Sequence, residues 1–121
     1  MRNFYLTFLA IFTLSFLQAQ IIDIPDDNFK YLLVYGENVR TVASGSYLVS
    51  ADSNNDYEIQ QSEAEAVVYM RLESFGFEIQ SMEGLQHFSN LETLKLEDNY
   101  LTTLDVSMLS ELRILDCFNN N

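Results

Sequence analysis

The sequence predicts an α/β fold in which short parallel strands stack into a solenoid behind a small helical cap. Three observations lead there: a leucine pattern that recurs at fixed spacing after residue 67, a helix with start and stop signals over residues 26–36, and an acidic loop over residues 52–63. At 121 residues the chain holds one domain at most. An apolar share of 48% suits a packed core in spite of a net charge of −12. That charge makes nucleic acid and anionic membrane poor partners, and hard cations or basic surfaces better ones.

Residues 1–19 stand apart from the rest. Arg2 precedes an apolar run over residues 4–17, which ends in Gln18-Ala19-Gln20. This is the pattern of a secretory signal peptide, with cleavage expected after Ala19. A run of about 14 residues is short of the roughly 20 that span a bilayer. The expectation is therefore a secreted or cell-surface protein with no membrane insertion after cleavage. Cys117 is the only cysteine, so no disulfide can form within the chain and stability has to come from packing or metal.

Residues 20–66 are expected to form a helical N-terminal cap. Ile24-Pro25-Asp26-Asp27-Asn28-Phe29 opens a short helix with Asp26 as N-cap, acids at the positive end of the dipole and Gly36 as terminator. Phe29, Leu32 and Leu33 share its inner face. Residues 37–51 read as a loop with a weak strand at Tyr47-Leu48-Val49. A second helix, two turns at most, is expected over residues 62–68.

Residues 67–121 repeat themselves. Leu91-x-x-Leu94-x-Leu96-x-x-Asn99 recurs as Leu112-x-x-Leu115-x-Cys117-x-x-Asn120 at a spacing of 21, and a looser copy begins at Val67-x-x-Met70-x-Leu72 and runs on through Ile79, Met82, Leu85 and Phe88. A period in this range with this pattern predicts a leucine-rich-repeat solenoid of about two and a half coils. In each coil, alternate strand residues point into the stack. Met70 and Leu72, Leu94 and Leu96, and Leu115 and Cys117 are the expected inward pairs, with Cys117 as a buried small hydrophobe. Tyr69, Arg71, Glu73, Thr93, Lys95, Glu97, Ile114, Asp116 and Phe118 then face outward on the concave side. Asn99 and Asn120 fall at the turn out of each strand, where a stacked amide satisfies backbone groups that water cannot reach.

Residues 52–63, Asp-Ser-Asn-Asn-Asp-Tyr-Glu-Ile-Gln-Gln-Ser-Glu, match the twelve-residue EF-hand loop at every defining position but one. Calcium takes roughly six to eight hard oxygens. Here Asp52, Asn54 and Asp56 would give side-chain oxygens, Glu58 its carbonyl, Gln60 a contact through water and Glu63 a bidentate carboxylate, with Ile59 anchoring the loop in the core. The departure is Tyr57 at the sixth position, where glycine normally takes a left-handed conformation. Its strain of about 1–2 kcal/mol weakens the site. Extracellular calcium modules nevertheless work at roughly 10⁻⁴ to 10⁻³ M. The alternative is an Asx-rich turn that caps the helix at Ser62 and binds nothing.

With the Ile-Pro-Asp-x-x-Phe helix, the calcium-loop-like segment and the Leu104-Asp105-Val106-Ser107 turn in place, the chain resembles the N-terminal part of secreted bacterial leucine-rich-repeat proteins, with coils similar to those of internalin-type adhesins. That resemblance implies an exported, non-catalytic module that binds a protein or glycan, with its cap stabilised by calcium. Catalysis has little support. His87, the lone histidine, is expected to face solvent with no nucleophile or carboxylate at a recognisable spacing, and paired acids are too common in this chain to mark a glycosidase. Tyr69, Arg71, Lys95 and Phe118 are the outward residues most like interface anchors. The alternative function is a calcium-binding cap and the start of a longer repeat protein, with no competent binding surface of its own. The sequence stops within a coil, so the last strand is expected to leave an open edge that invites self-association.

Overall fold

A computed structural model describes residues 20–73 and 76–121. The expected signal peptide lies outside the described residues. Helix α1 spans Asp27–Tyr35, and Asp26 caps it by accepting from the amides of Asn28 and Phe29. The other oxygen of Asp26 accepts from the amides of Gln80 and Ser81, so one carboxylate ties the helix start to the return segment of the first coil. Phe29 and Leu33 are fully buried, as their shared face predicts. Gly36 ends the helix by donating its amide to Leu32.

A strand follows where the sequence suggests only a loop. Strand β1, Val39–Thr41, pairs antiparallel with β2, Val67–Arg71. The weak strand expected at residues 47–49 reduces to one bridge, Val49 to Val39, and Tyr47 is 77% exposed. Three residues give too few alternations for a period of two to stand out.

Helix α2, Gln61–Ala66, runs directly into β2. Its start is held by a reciprocal pair, Gln60 and Glu63, each side chain accepting from the other's backbone amide, so Ser62 is not its cap. Strands β3, Thr93–Lys95, and β4, Ile114–Asp116, continue the sheet in parallel, giving the order β1-β2-β3-β4. A single 3₁₀ turn at Leu85–His87 lies on the return of the first coil. Gly84 before it has φ +102°, and a Cβ there would sit 2.8 Å from the Asp23 carbonyl, so only glycine lets the return segment close on the cap.

The core follows the repeat. Met70, Leu72, Ile79, Leu85, Phe88, Leu91, Leu94 and Leu96 are fully buried. Phe88 meets Phe29 at 6.4 Å between ring centroids, which joins coil to cap. The third inward pair departs from expectation: Leu115 is 41% exposed, and Cys117 is an exposed free thiol. Among the described residues no strand lies beyond β4, so nothing covers the positions that earlier coils bury. Asn99 behaves as expected. It is buried, its Nδ2 donates to the carbonyls of Leu72 (2.7 Å) and Leu96 (3.1 Å), and its Oδ1 accepts from the Ile79 amide (3.1 Å). Asn120 repeats the set with Leu96, Cys117 and the Leu101 amide, nearer to solvent.

Candidate functional site

The outward strand positions come together in rows. Tyr69, Thr93 and Ile114 lie side by side on β2, β3 and β4, and Arg71, Lys95 and Asp116 form the next row. β1 extends this face, since Arg40 pairs with Tyr69 in register and its guanidinium carbon stands 3.7 Å above the Tyr69 ring centroid. The sequence does not mark Arg40 as a face residue because three residues of strand carry no period. At the other end of the sheet Ile114 and Phe118 are 55% and 58% exposed. They are apolar side chains held out from the solvent-facing side rather than packed beneath it.

Beyond these rows the face turns acidic. Arg71 binds Glu73 at 2.6 Å, and this bond holds the Glu73 carboxyl below the usual carboxylate range. Glu97, expected to face solvent, is instead only 5% exposed, and its Oε2 is buried without a hydrogen-bond partner. Burial pushes its carboxyl up, and the neighbouring Asp116 and Glu73 charges push it the same way. Three adjacent strands thus bring Glu73, Glu97 and Asp116 into one electrostatic group, with Arg71 and Lys95 beside them.

The acidic loop forms as a loop. Ile59 is buried, and its carbonyl accepts from the Ile22 amide at 2.8 Å, while Gln20 accepts from Gln61. Residues 20–22 therefore strap the far side of the loop, in the manner of a short antiparallel bridge between Ile21 and Gln60. Tyr57 adopts φ +68°, the left-handed conformation its position demands. Asp52, nearly buried, accepts from the amides of Asp56 and Tyr57. Glu63 accepts from the Ser53 amide and hydroxyl, the Asn54 amide and the Gln60 amide. The Glu58 amide, donating to Asp56, holds that carboxyl below its ordinary value, helped by the Asn54 and Gln60 side-chain amides. The Glu58 side chain points elsewhere and pairs with Lys30 at 2.6 Å.

The donor types suit calcium: carboxylates from Asp52, Asp56 and Glu63 and the amide oxygens of Asn54 and Gln60. As arranged, the oxygens are turned to the loop's own amides, and among the described residues no three His, Cys, Asp or Glu side chains are grouped to hold a metal ion. His87 is half-buried rather than solvent-facing, with Nδ1 2.9 Å from Oε1 of Gln61 on α2. No described helix is long and apolar enough to cross a membrane.

Comparison with solved structures places this geometry among leucine-rich repeats. The chain superposes on an internalin (inlF) from Listeria monocytogenes with a TM-score of 0.54 and 22% identity, over 85% of this chain and 25% of that one. It superposes equally well, at 0.54 and 21% identity, on internalin C2 (inlC2) from the same organism, over 83% of this chain and 37% of that one. The chain thus spans between a quarter and somewhat over a third of the length of these proteins. No family model matches the sequence, and no curated protein matches it. At this level of identity the likeness establishes an internalin-like, leucine-rich-repeat α/β fold.

Proposed function

We propose that the chain is an exported, non-catalytic leucine-rich-repeat module that binds a protein or glycan ligand on the open face of its sheet. One observation carries this reading: the rows Tyr69-Thr93-Ile114 and Arg71-Lys95-Asp116 lie in register on adjacent strands, ending in the exposed Ile114 and Phe118. An aromatic and arginine surface flanked by charges of both signs has the composition of a binding hot spot. The internalin-like fold supports the same mode of action. The test screens the purified chain against a displayed library of protein domains and an array of immobilised glycans, in parallel with Arg71→Ala and Phe118→Ala. Capture should weaken in both variants; capture unchanged in both assigns binding to another surface.

The loop at residues 52–63 serves in this proposal as a calcium-dependent brace for the cap. The support is its shape, since Tyr57 takes the left-handed turn and Asp52 gathers the amides that follow. Asp52→Ala and Glu63→Ala also remove hydrogen bonds that hold the loop without an ion, so the informative quantity is the change in melting temperature on adding calcium. A rise in millimolar calcium that both variants lose supports the brace. No heat and no shift in calorimetry reduce the loop to a polar turn.

A second reading is favoured by the exposure of Leu115 and Cys117 at positions that earlier coils bury. On it, the cap and first coils are covered at β4 by further repeat structure or by a second copy, and ligand recognition belongs to the larger assembly. A concentration-dependent dimer in sedimentation equilibrium would point to the second copy.

A further inference from the structure

Four aromatic rings, three from the cap and Phe77 from the first coil, form a continuous series of ring contacts. Phe77 stacks on Tyr31 at 4.9 Å, Tyr31 meets Tyr35 at 4.9 Å, and Tyr35 meets Tyr57 at 5.8 Å between centroids. Tyr31, Tyr35 and Tyr57 are 45%, 59% and 61% exposed. With Asp27, Lys30 and Val34 they line a cleft of about 180 Å³. Tyr31 and Tyr35 are adjacent because they stand four residues apart on α1. Tyr57 reaches them from the loop, and it does so from a left-handed backbone conformation at φ +68°. Among the described residues, the other non-glycine residues in that conformation are Asn55, Asp98 and Asn119, which tolerate it. An aromatic residue kept where glycine is the cheaper choice points to a use for its ring.

We propose that this cleft is a carbohydrate subsite that takes one pyranose ring of a neutral glycan. A pyranose has an apolar C–H face and a rim of hydroxyls. The tyrosine rings offer flat apolar surface for the first. Asp27 can accept from the second and Lys30 can donate to it. Lys30 is held in place at 2.6 Å from Glu58, which also balances its charge. A volume of about 180 Å³ is below the roughly 300–1,000 Å³ of drug-sized pockets, which limits the cleft to a single small ring.

The subsite is independent of the proposed sheet-face function, but it shares Tyr57 and the Lys30–Glu58 pair with the loop of the calcium brace, so binding is compared with and without calcium. It is tested by saturation-transfer NMR of the purified chain with a panel of neutral oligosaccharides: β-glucan, xylan, mannan and chitin hexamers at millimolar concentration. At least one class should bind, and its dissociation constant should rise about tenfold or more in Tyr35→Ala and Tyr57→Gly, equivalent to the loss of a single stacking contact. Arg71→Ala should leave it unchanged. Tyr57→Gly removes the ring while relieving its backbone, so the variant should melt no lower than the parent and its loss of binding cannot be blamed on unfolding. The inference is overturned if no member of the panel binds, if binding ignores both tyrosines, or if tetramethylammonium or a proline-rich peptide occupies the cleft in their place.

Discussion

Asn99 and Asn120 make nearly the same hydrogen bonds one repeat apart, but only Asn99 is sealed from water. Replacing each with alanine therefore isolates the effect of burial. In Asn99→Ala the Ile79 amide loses its acceptor and the Leu72 carbonyl its 2.7 Å donor. The Leu96 carbonyl keeps a donor from Asn120 at 2.9 Å. Two buried backbone groups stripped of their partners cost about 1–3 kcal/mol each, so the loss should be about 2–6 kcal/mol. For a domain of ordinary stability, about 5–15 kcal/mol, that is a large share. In Asn120→Ala the bonds to Cys117 and Phe118 lie at the surface, where water takes over, and only the Leu101 amide loses an acceptor away from water, so the loss should be about 1–3 kcal/mol. Asn99→Asp keeps the acceptor for Ile79 but removes the donors and buries a charge, so it should be no better than alanine. Urea unfolding followed by far-UV circular dichroism gives the three values, provided the slope with denaturant is unchanged. Equal losses at positions 99 and 120 would refute the view that solvent access, rather than the bonds themselves, makes the asparagine ladder matter.

Three other outcomes follow from the same geometry. Tyr57→Gly should stabilise the chain by about 0.5–1 kcal/mol, the relief of left-handed strain less the entropy of a new glycine, read from the same urea titration; a loss would mean the Tyr35 contact outweighs the backbone. Burial raises the Glu97 carboxyl in the folded state, so its penalty is absent below the unfolded pKa and grows as pH rises through the folded one. Glu97→Gln should accordingly be the more stable protein at neutral pH, with the difference vanishing in acid; a parent that gains on the variant as pH rises would reverse the sign. Cys117 should react with a disulfide reagent in native buffer at nearly its unfolded rate, and slow reaction at high protein concentration would show that a second copy covers β4.

The parts of the fold legible in the sequence were those in which one physical requirement recurs or a specific residue type has no substitute. The repeat is legible because Leu94 and Leu96 answer to the same buried stack as Met70 and Leu72, and α1 is legible because Asp26 and Gly36 do jobs that few residues can do. β1 is not legible for the opposite reason: buried Val39 pairs on β2 with Met70, thirty-one positions away, and three residues carry no period of their own. Cys117 departs from its pattern because its repeat position says inward, while among the described residues no strand packs beyond β4 to cover it. The strand register places Tyr69, Thr93 and Ile114 in one row, yet Glu97 shows how far position is from environment. An acid in the turn just past a central strand can still be sealed by its neighbours.

Among the described residues, Glu97 and Tyr57 are places where local physical chemistry runs against stability. One is a carboxylate kept in the sheet face with an oxygen that has no hydrogen-bond partner, the other an aromatic kept in a glycine conformation. Leucine-rich repeats need neither, since the stack is satisfied by its leucines and asparagines. Glu97→Gln would preserve the shape of the first without the charge, and Tyr57→Gly would preserve the turn of the second without the ring. If both variants fold better than the parent but only Glu97→Gln alters recognition at the sheet face, and only Tyr57→Gly alters recognition at the cap, the two strains belong to two separate surfaces. If a single ligand responds to both, the cap and the face are one continuous site, and the carbohydrate subsite would have to be redrawn as its edge.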